Sequence, residues 1–122
     1  MREFVLNIGL KTSPYMTKGG VVEDLKVGNV LSILPIFNLD FDSAKIADSE
    51  TEKTLVLTGV SNLNYIDFEK SVKNLSDALK QDCIAAYFPK SDSGALIGSN
   101  SDDWGIFDKN ILSNKGSLNH EV

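Results

Sequence analysis

From Tyr65 to Phe88 the chain reads YIDFEKSVKNLSDALKQDCIAAYF, and the two halves of this stretch have different periods. In the first, Phe68, Val72, Leu75 and Leu79 recur at intervals of four, three and four, with Glu69, Lys70, Lys73, Asp77 and Lys80 on the opposite side. That stripe predicts an amphipathic helix over 65–80 with one face on a core. Asn64 or Asp67 supplies the N-cap, and Glu69 with Lys73 makes a favourable i,i+4 pair. In the second half the period drops to two, with Ile84, Ala86 and Phe88 alternating with Cys83, Ala85 and Tyr87. A helix running directly into a strand over 83–88 is half of an α+β layer.

The same signals repeat upstream. Over residues 2–11, Phe4, Leu6, Ile8 and Leu10 alternate with Glu3, Val5, Asn7 and Gly9, which predicts a half-buried first strand. Residues 12–20 mix turn formers with Gly19-Gly20 and read as a mobile loop. Val27, Val30, Leu31 and Leu34 have helical spacing, which predicts a helix over about 23–34 stopped by Pro35. Phe37, Leu39 and Phe41 alternate with Asn38, Asp40 and Asp42 as a second strand, and residues 43–52 read as a long acidic connection to a third strand over 53–60. Beyond the fourth strand, 89–94 is turn chemistry and 95–98 a short fifth strand. The order predicts a ferredoxin-like βαββαβ sandwich, an antiparallel sheet with both helices on one face, plus a short C-terminal hairpin. In the tail, Trp104, Ile106, Phe107, Ile111 and Leu112 are too apolar to stay in water and are expected to dock on the body, while 113–122 reads as frayed.

With 122 residues, the chain is long enough for one core without staples, so a single domain over 1–112 is expected. A lone cysteine, Cys83, rules out an internal disulfide, and with a lone histidine, His120, it rules out a four-ligand zinc site built from those two residue types. The apolar run from Val30 to Phe37 is far shorter than a membrane span, and the first residues lack the apolar core of a secretion signal. A cytoplasmic location with no membrane contact is the expectation.

Lys plus Arg number 12 and Asp plus Glu 17, a net charge of −5 that repels phosphate backbones, so direct nucleic-acid binding is not expected. Asp40, Asp42, Asp48, Glu50 and Glu52 crowd into thirteen residues opposed only by Lys45. They are either a solvated strand edge and turn or a docking surface for a basic protein partner. Trp104-Gly105-Ile106-Phe107 is the second candidate contact, because desolvated aromatics anchor interfaces; its plainer role is to fasten the tail.

Catalytic chemistry finds little support. Cys83 at a strand entry is expected to pack as a small hydrophobe, and its one potential base, His120, lies in the tail. The carboxylate pairs Asp40 with Asp42, Glu23 with Asp24 and Asp102 with Asp103 read as solvated, and Asn100 to Asp103 lacks the spacing of a calcium loop. Gly19-Gly20 meets neither glycine-rich phosphate fingerprint, and the exposed faces of strands one and four lack the stacking aromatics of an RNA platform, Tyr87 apart. No catalytic residue, metal or cofactor is expected. The alternative is a small-ligand or enzymatic ferredoxin-like domain acting as a homodimer, with a pocket between the 12–20 loop and the sheet.

Residues 4–12 (FVLNIGLKT), 54–57 (TLVL), 81–86 (QDCIAA), 94–98 (GALIG) and 104–107 (WGIF), taken in order, resemble small accessory proteins carried by bacterial phages and plasmids. The likeness brings no catalytic residues with it. It implies a protein that binds and blocks host machinery, including nucleic-acid-handling or defence complexes, where an acidic surface imitates phosphates. The chain departs from a strong mimic in its modest net charge and its twelve interspersed basic residues.

Overall fold

A computed structural model describes residues 1–50 and 52–100 together with the backbone of 120–121. The elements are β1 (Arg2–Gly9), α1 (Val27–Ile33), β2 (Ser43–Asp48), β3 (Lys53–Ser61), α2 (Tyr65–Ala78), β4 (Ile84–Phe88), β5 (Ser93–Ile97) and the two-residue β6 (His120–Glu121). The sheet order is β5-β4-β1-β3-β2-β6, with every neighbouring pair antiparallel. This is an α+β fold with an open antiparallel sheet and two helices, compatible with the ferredoxin-like type.

The period-two pattern of β1 is realised as predicted. Phe4, Leu6 and Ile8 face Gly59, Leu57 and Leu55 of β3 and are buried with them. Phe68, Val72, Leu75 and Leu79 of the α2 stripe join this core, as do Val30, Leu34 and Leu39. Helices and connections thus close one sheet face, where Phe68 stacks obliquely on Phe4 and edge-on to Phe88. Asn64 is the N-cap of α2: its side-chain oxygen accepts from the Asp67 backbone N–H at 2.9 Å, and its amide returns a bond to the Asp67 carboxylate.

Three predicted elements move. The helix expected from residue 23 begins at Val27, because the preceding backbone pairs with β1's extension instead: Thr12 N–H donates to Glu23 C=O and Leu25 N–H to Leu10 C=O. The second strand is displaced. Leu34–Phe37 forms a 3₁₀ turn with Pro35 in its first turn, and Asn38 at φ 57° ends it, donating to Leu34 and Pro35 carbonyls. An αL residue cannot sit within an extended run, so Phe37, Asn38 and Leu39 belong to a helical turn and its exit. Ser43–Asp48 is the strand, paired from Ser43↔Thr58 to Asp48↔Lys53, and the long connection shrinks to a turn over 49–52. Ser49 closes this turn, exchanging bonds with Glu52 through backbone and hydroxyl. Finally, His120 and Glu121 pair with Ile46 and Lys45, so these two residues are strand where 113–122 reads as frayed. Residues 113–119 and 122 lie outside the described residues.

The 12–20 loop carries its own bonds: Thr12 Oγ1 accepts from Glu23 N–H, Ser13 N–H donates to Lys80 C=O, and Thr17 Oγ1 donates to Val21 C=O. Among the described residues no helix is long and apolar enough to cross a membrane.

Candidate functional site

The acidic cluster does not stay together in space. Asp40 and Asp42 precede β2, whereas Asp48, Glu50 and Glu52 lie at its far end, about 17 Å away along a six-residue strand. All five are exposed. Asp42 is held in place by its N–H, which donates to Thr58 C=O at 2.7 Å.

At the far end the fold adds a carboxylate from another part of the chain. The Lys11–Asp24 bridge sets Asp24 beside the β2–β3 turn, and with Glu50 and Glu52 it rims a groove of about 520 Å³. Leu10, Leu25, Val27 and Ile46 supply the apolar lining, and Lys11 and Lys53 also reach it. Glu52 is placed by a close approach: its Oε1 lies where a side chain at Gly9 would stand, at 2.8 Å from that Cβ position. Gln81, buried next to it, donates to Lys11 C=O at 2.7 Å and anchors the end of the β1 extension. Glu23 and Asp24, weighed on the sequence only as a carboxylate pair, thus have separate roles, Glu23 through its backbone and Asp24 at the groove. The sequence signal for Asp24 was only its place after the loop; its bridge partner Lys11 is 13 residues away, and the carboxylates it joins, Glu50 and Glu52, are 26 and 28 residues away.

The remaining candidates behave as packing. Cys83 is buried, and burial pushes its thiol from 9.0 up to about 12, with the Asp82 carboxylate adding to the rise. The backbone of His120 is on β6, four strand positions and about 19 Å from β4, the strand that Cys83 precedes. Beside Cys83, Asp82 accepts from Ser13 Oγ at 2.7 Å and Asn100 Nδ2 at 3.3 Å, which ties the 12–20 loop to the start of β4. Gly19 and Gly20 lie in a short 3₁₀ turn with 21–26 between them and α1, so they do not open a helix. Tyr87 is buried and its hydroxyl donates to Asp92 at 2.8 Å, a bond that together with burial raises its pKa above the ordinary phenol value. Among the described residues no group of three metal-ligating side chains occurs. Trp104, Phe107, Asp102 and Asp103 lie outside the described residues.

A protonated, buried thiol should resist modification. Native protein at pH 8 should leave Cys83 unlabelled by a thiol reagent and label it fully in denaturant; fast native labelling contradicts the burial. The raised folded-state value also sets a sign. Below pH 9 both states keep the proton and the full contribution is present; from about 9 to 12 only the unfolded chain loses it, so stability falls as pH rises. The melting-temperature advantage of wild type over Cys83→Ala should therefore shrink through that window.

Comparison with protein-family models, curated proteins and solved structures returned no match.

Proposed function

We propose that this chain is a non-enzymatic interaction module of ferredoxin-like form that presents the carboxylates of the β2–β3 end to a basic protein partner. The observation that carries this reading is the groove where exposed Asp24, Glu50 and Glu52 stand over Leu10, Leu25, Val27 and Ile46. An apolar lining with an acidic rim suits long basic side chains, which lay their methylene stems on apolar surface and keep their charged heads at its edge. Together with the resemblance to accessory proteins of mobile elements, this favours an inhibitor that occupies the phosphate-binding surface of a host nucleic-acid-handling or defence complex.

The test is affinity capture from host lysate with charge-reversed forms. Asp24→Lys/Glu50→Lys/Glu52→Lys should lose the captured partner with an unchanged circular dichroism spectrum, and Asp40→Lys/Asp42→Lys should retain it. Raising the salt should weaken the wild-type complex, since such contacts are screened within about 10 Å at 0.1 M. Retention by the triple variant, or loss only by the double variant, would remove the groove from the interface.

A further inference from the structure

Among the described residues one buried side-chain donor has no hydrogen-bond acceptor, and it belongs to a cation: Arg2 Nε, at the start of β1. Strand alternation sets Arg2 on the same sheet face as Phe4, the side on which α2 packs. There its guanidinium lies in a corner between two rings. Its Cζ is 5.0 Å from the centre of the Tyr65 ring and 5.5 Å from that of Phe88, and the rings themselves meet edge-on at 5.8 Å. Ring faces attract the positive charge, so these contacts fix the side chain without giving Nε–H a partner. A buried donor left unpaired costs free energy that only a new acceptor recovers.

Arg2 lines a cavity of about 310 Å³ whose walls also carry Leu63, Phe88, Lys90 and Ser91. Glu3 reaches the rim, but alternation gives its side chain to the opposite sheet face, with Val5. Lys90 and Ser91 are the central pair of the 89–92 turn. That turn is closed by Asp92 N–H on Pro89 C=O at 3.3 Å, and the Tyr87 hydroxyl donates to the Asp92 carboxylate at 2.8 Å. The turn's own carboxylate is thereby engaged, and Lys90 and Ser91 are presented from a pinned loop.

The wall thus gathers a forked guanidinium, an ammonium and a hydroxyl, two positive charges on a chain of net charge −5. Arginine takes oxyanions through paired N–H groups, and lysine adds a point charge. A carboxylate brings a single negative charge to two cations. A phosphate monoester brings about 1.5–2 at neutral pH, on three strong acceptor oxygens. The volume stands at the lower end of the roughly 300–1,000 Å³ of small-molecule sites, which suits a phosphate with a short attached group.

We propose that the cavity of Arg2, Lys90 and Ser91 binds the phosphate group of a small phosphate monoester. This goes beyond partner binding at the acidic groove, which begins at Leu10, about 26 Å from Arg2 along β1, so either reading can fail alone.

Titration of the isotope-labelled full chain with inorganic phosphate at fixed ionic strength, followed by amide and guanidinium N–H correlation spectra, tests the site. Phosphate should shift the Arg2 Nε–H and the amides of residues 90–92 saturably. Glycerol 3-phosphate should bind at least as tightly, because the cavity exceeds the anion, and acetate should leave the same signals in place. Arg2→Lys keeps the charge but removes the fork, and should weaken phosphate about tenfold, as for one hydrogen bond to a charged group. Lys90→Gln, at an exposed position outside the core, should weaken it severalfold, and Lys73→Gln, on the exposed side of α2, should change nothing. Unsaturable drift shared by phosphate and acetate would overturn the proposal, as would unchanged affinity in Arg2→Lys and Lys90→Gln. Exclusion of glycerol 3-phosphate, or acetate binding more tightly than phosphate, would overturn the assignment to a monoester.

Discussion

Phe68→Ala should lower the melting temperature by about 12–20 °C, the equivalent of about 3–5 kcal/mol for removing a buried phenylalanine. Phe68 is fully buried at the centre of the helix-side core, its ring 5.3 Å from Phe4 and 5.8 Å from Phe88. It therefore joins α2 to both β1 and β4. Truncation loses the transfer of the ring from water and leaves a void whose walls are strands, which cannot collapse without shifting sheet register. The two aromatic pairings are lost as well. Thermal denaturation followed by circular dichroism checks this, and a loss of only a few degrees would mean that α2 is not anchored as described. Phe68→Leu, which keeps most of the volume, should recover much of the difference.

Gly98→Ala should destabilise the β4–β5 edge at the upper end of the roughly 1–3 kcal/mol typical of overpacking. A Cβ at Gly98 would come closer than 3.0 Å to the Asp82 carbonyl oxygen and to Cys83 Cα. Both belong to backbone, so no side chain can swing aside. The clash falls just past the Ile84↔Ile97 pair and beside the Asn100 N–H to Asp82 C=O bond. Relief requires the end of β5 to lift from β4, which exposes Ile97. Hydrogen exchange should accelerate at residues 96–100 more than in β3. Wild-type-like exchange there would show that the two backbones are not so close.

Much of this fold was legible in the sequence, and the exceptions share a cause. β1, β3, α2 and β4 carry large apolar residues at a clean period, so local pattern and burial agree. β2 does not. Phe37, Leu39 and Phe41 look more like a strand than Ser43-Ala-Lys-Ile-Ala-Asp48, because alanine, lysine and aspartate are weak strand formers. Pairing decided the matter: β3 takes a partner across a tight turn closed by Ser49, with Ala44 and Ile46 opposite Leu57 and Leu55 and the Ser43 and Thr58 hydroxyls bonded. The start of α1 was lost in the same way, since Glu23 and Leu25 spend their backbone groups on Thr12 and Leu10.

The candidate site shows the same division. The sequence by itself determined that the chain is acidic, has one cysteine with no histidine beside it, and contains a helix–strand unit over 65–88. Composition and periodicity settle these properties because they depend only on which side chains occur and at what spacing. Only the tertiary structure decided that five neighbouring carboxylates separate to the two ends of β2, that Asp24 joins Glu50 and Glu52 over an apolar groove, and that Val5, Val56 and Tyr87 form a second, separate apolar cluster. Those outcomes depend on strand register and on contacts between distant segments, whose free energy is realised only when the whole sheet is assembled.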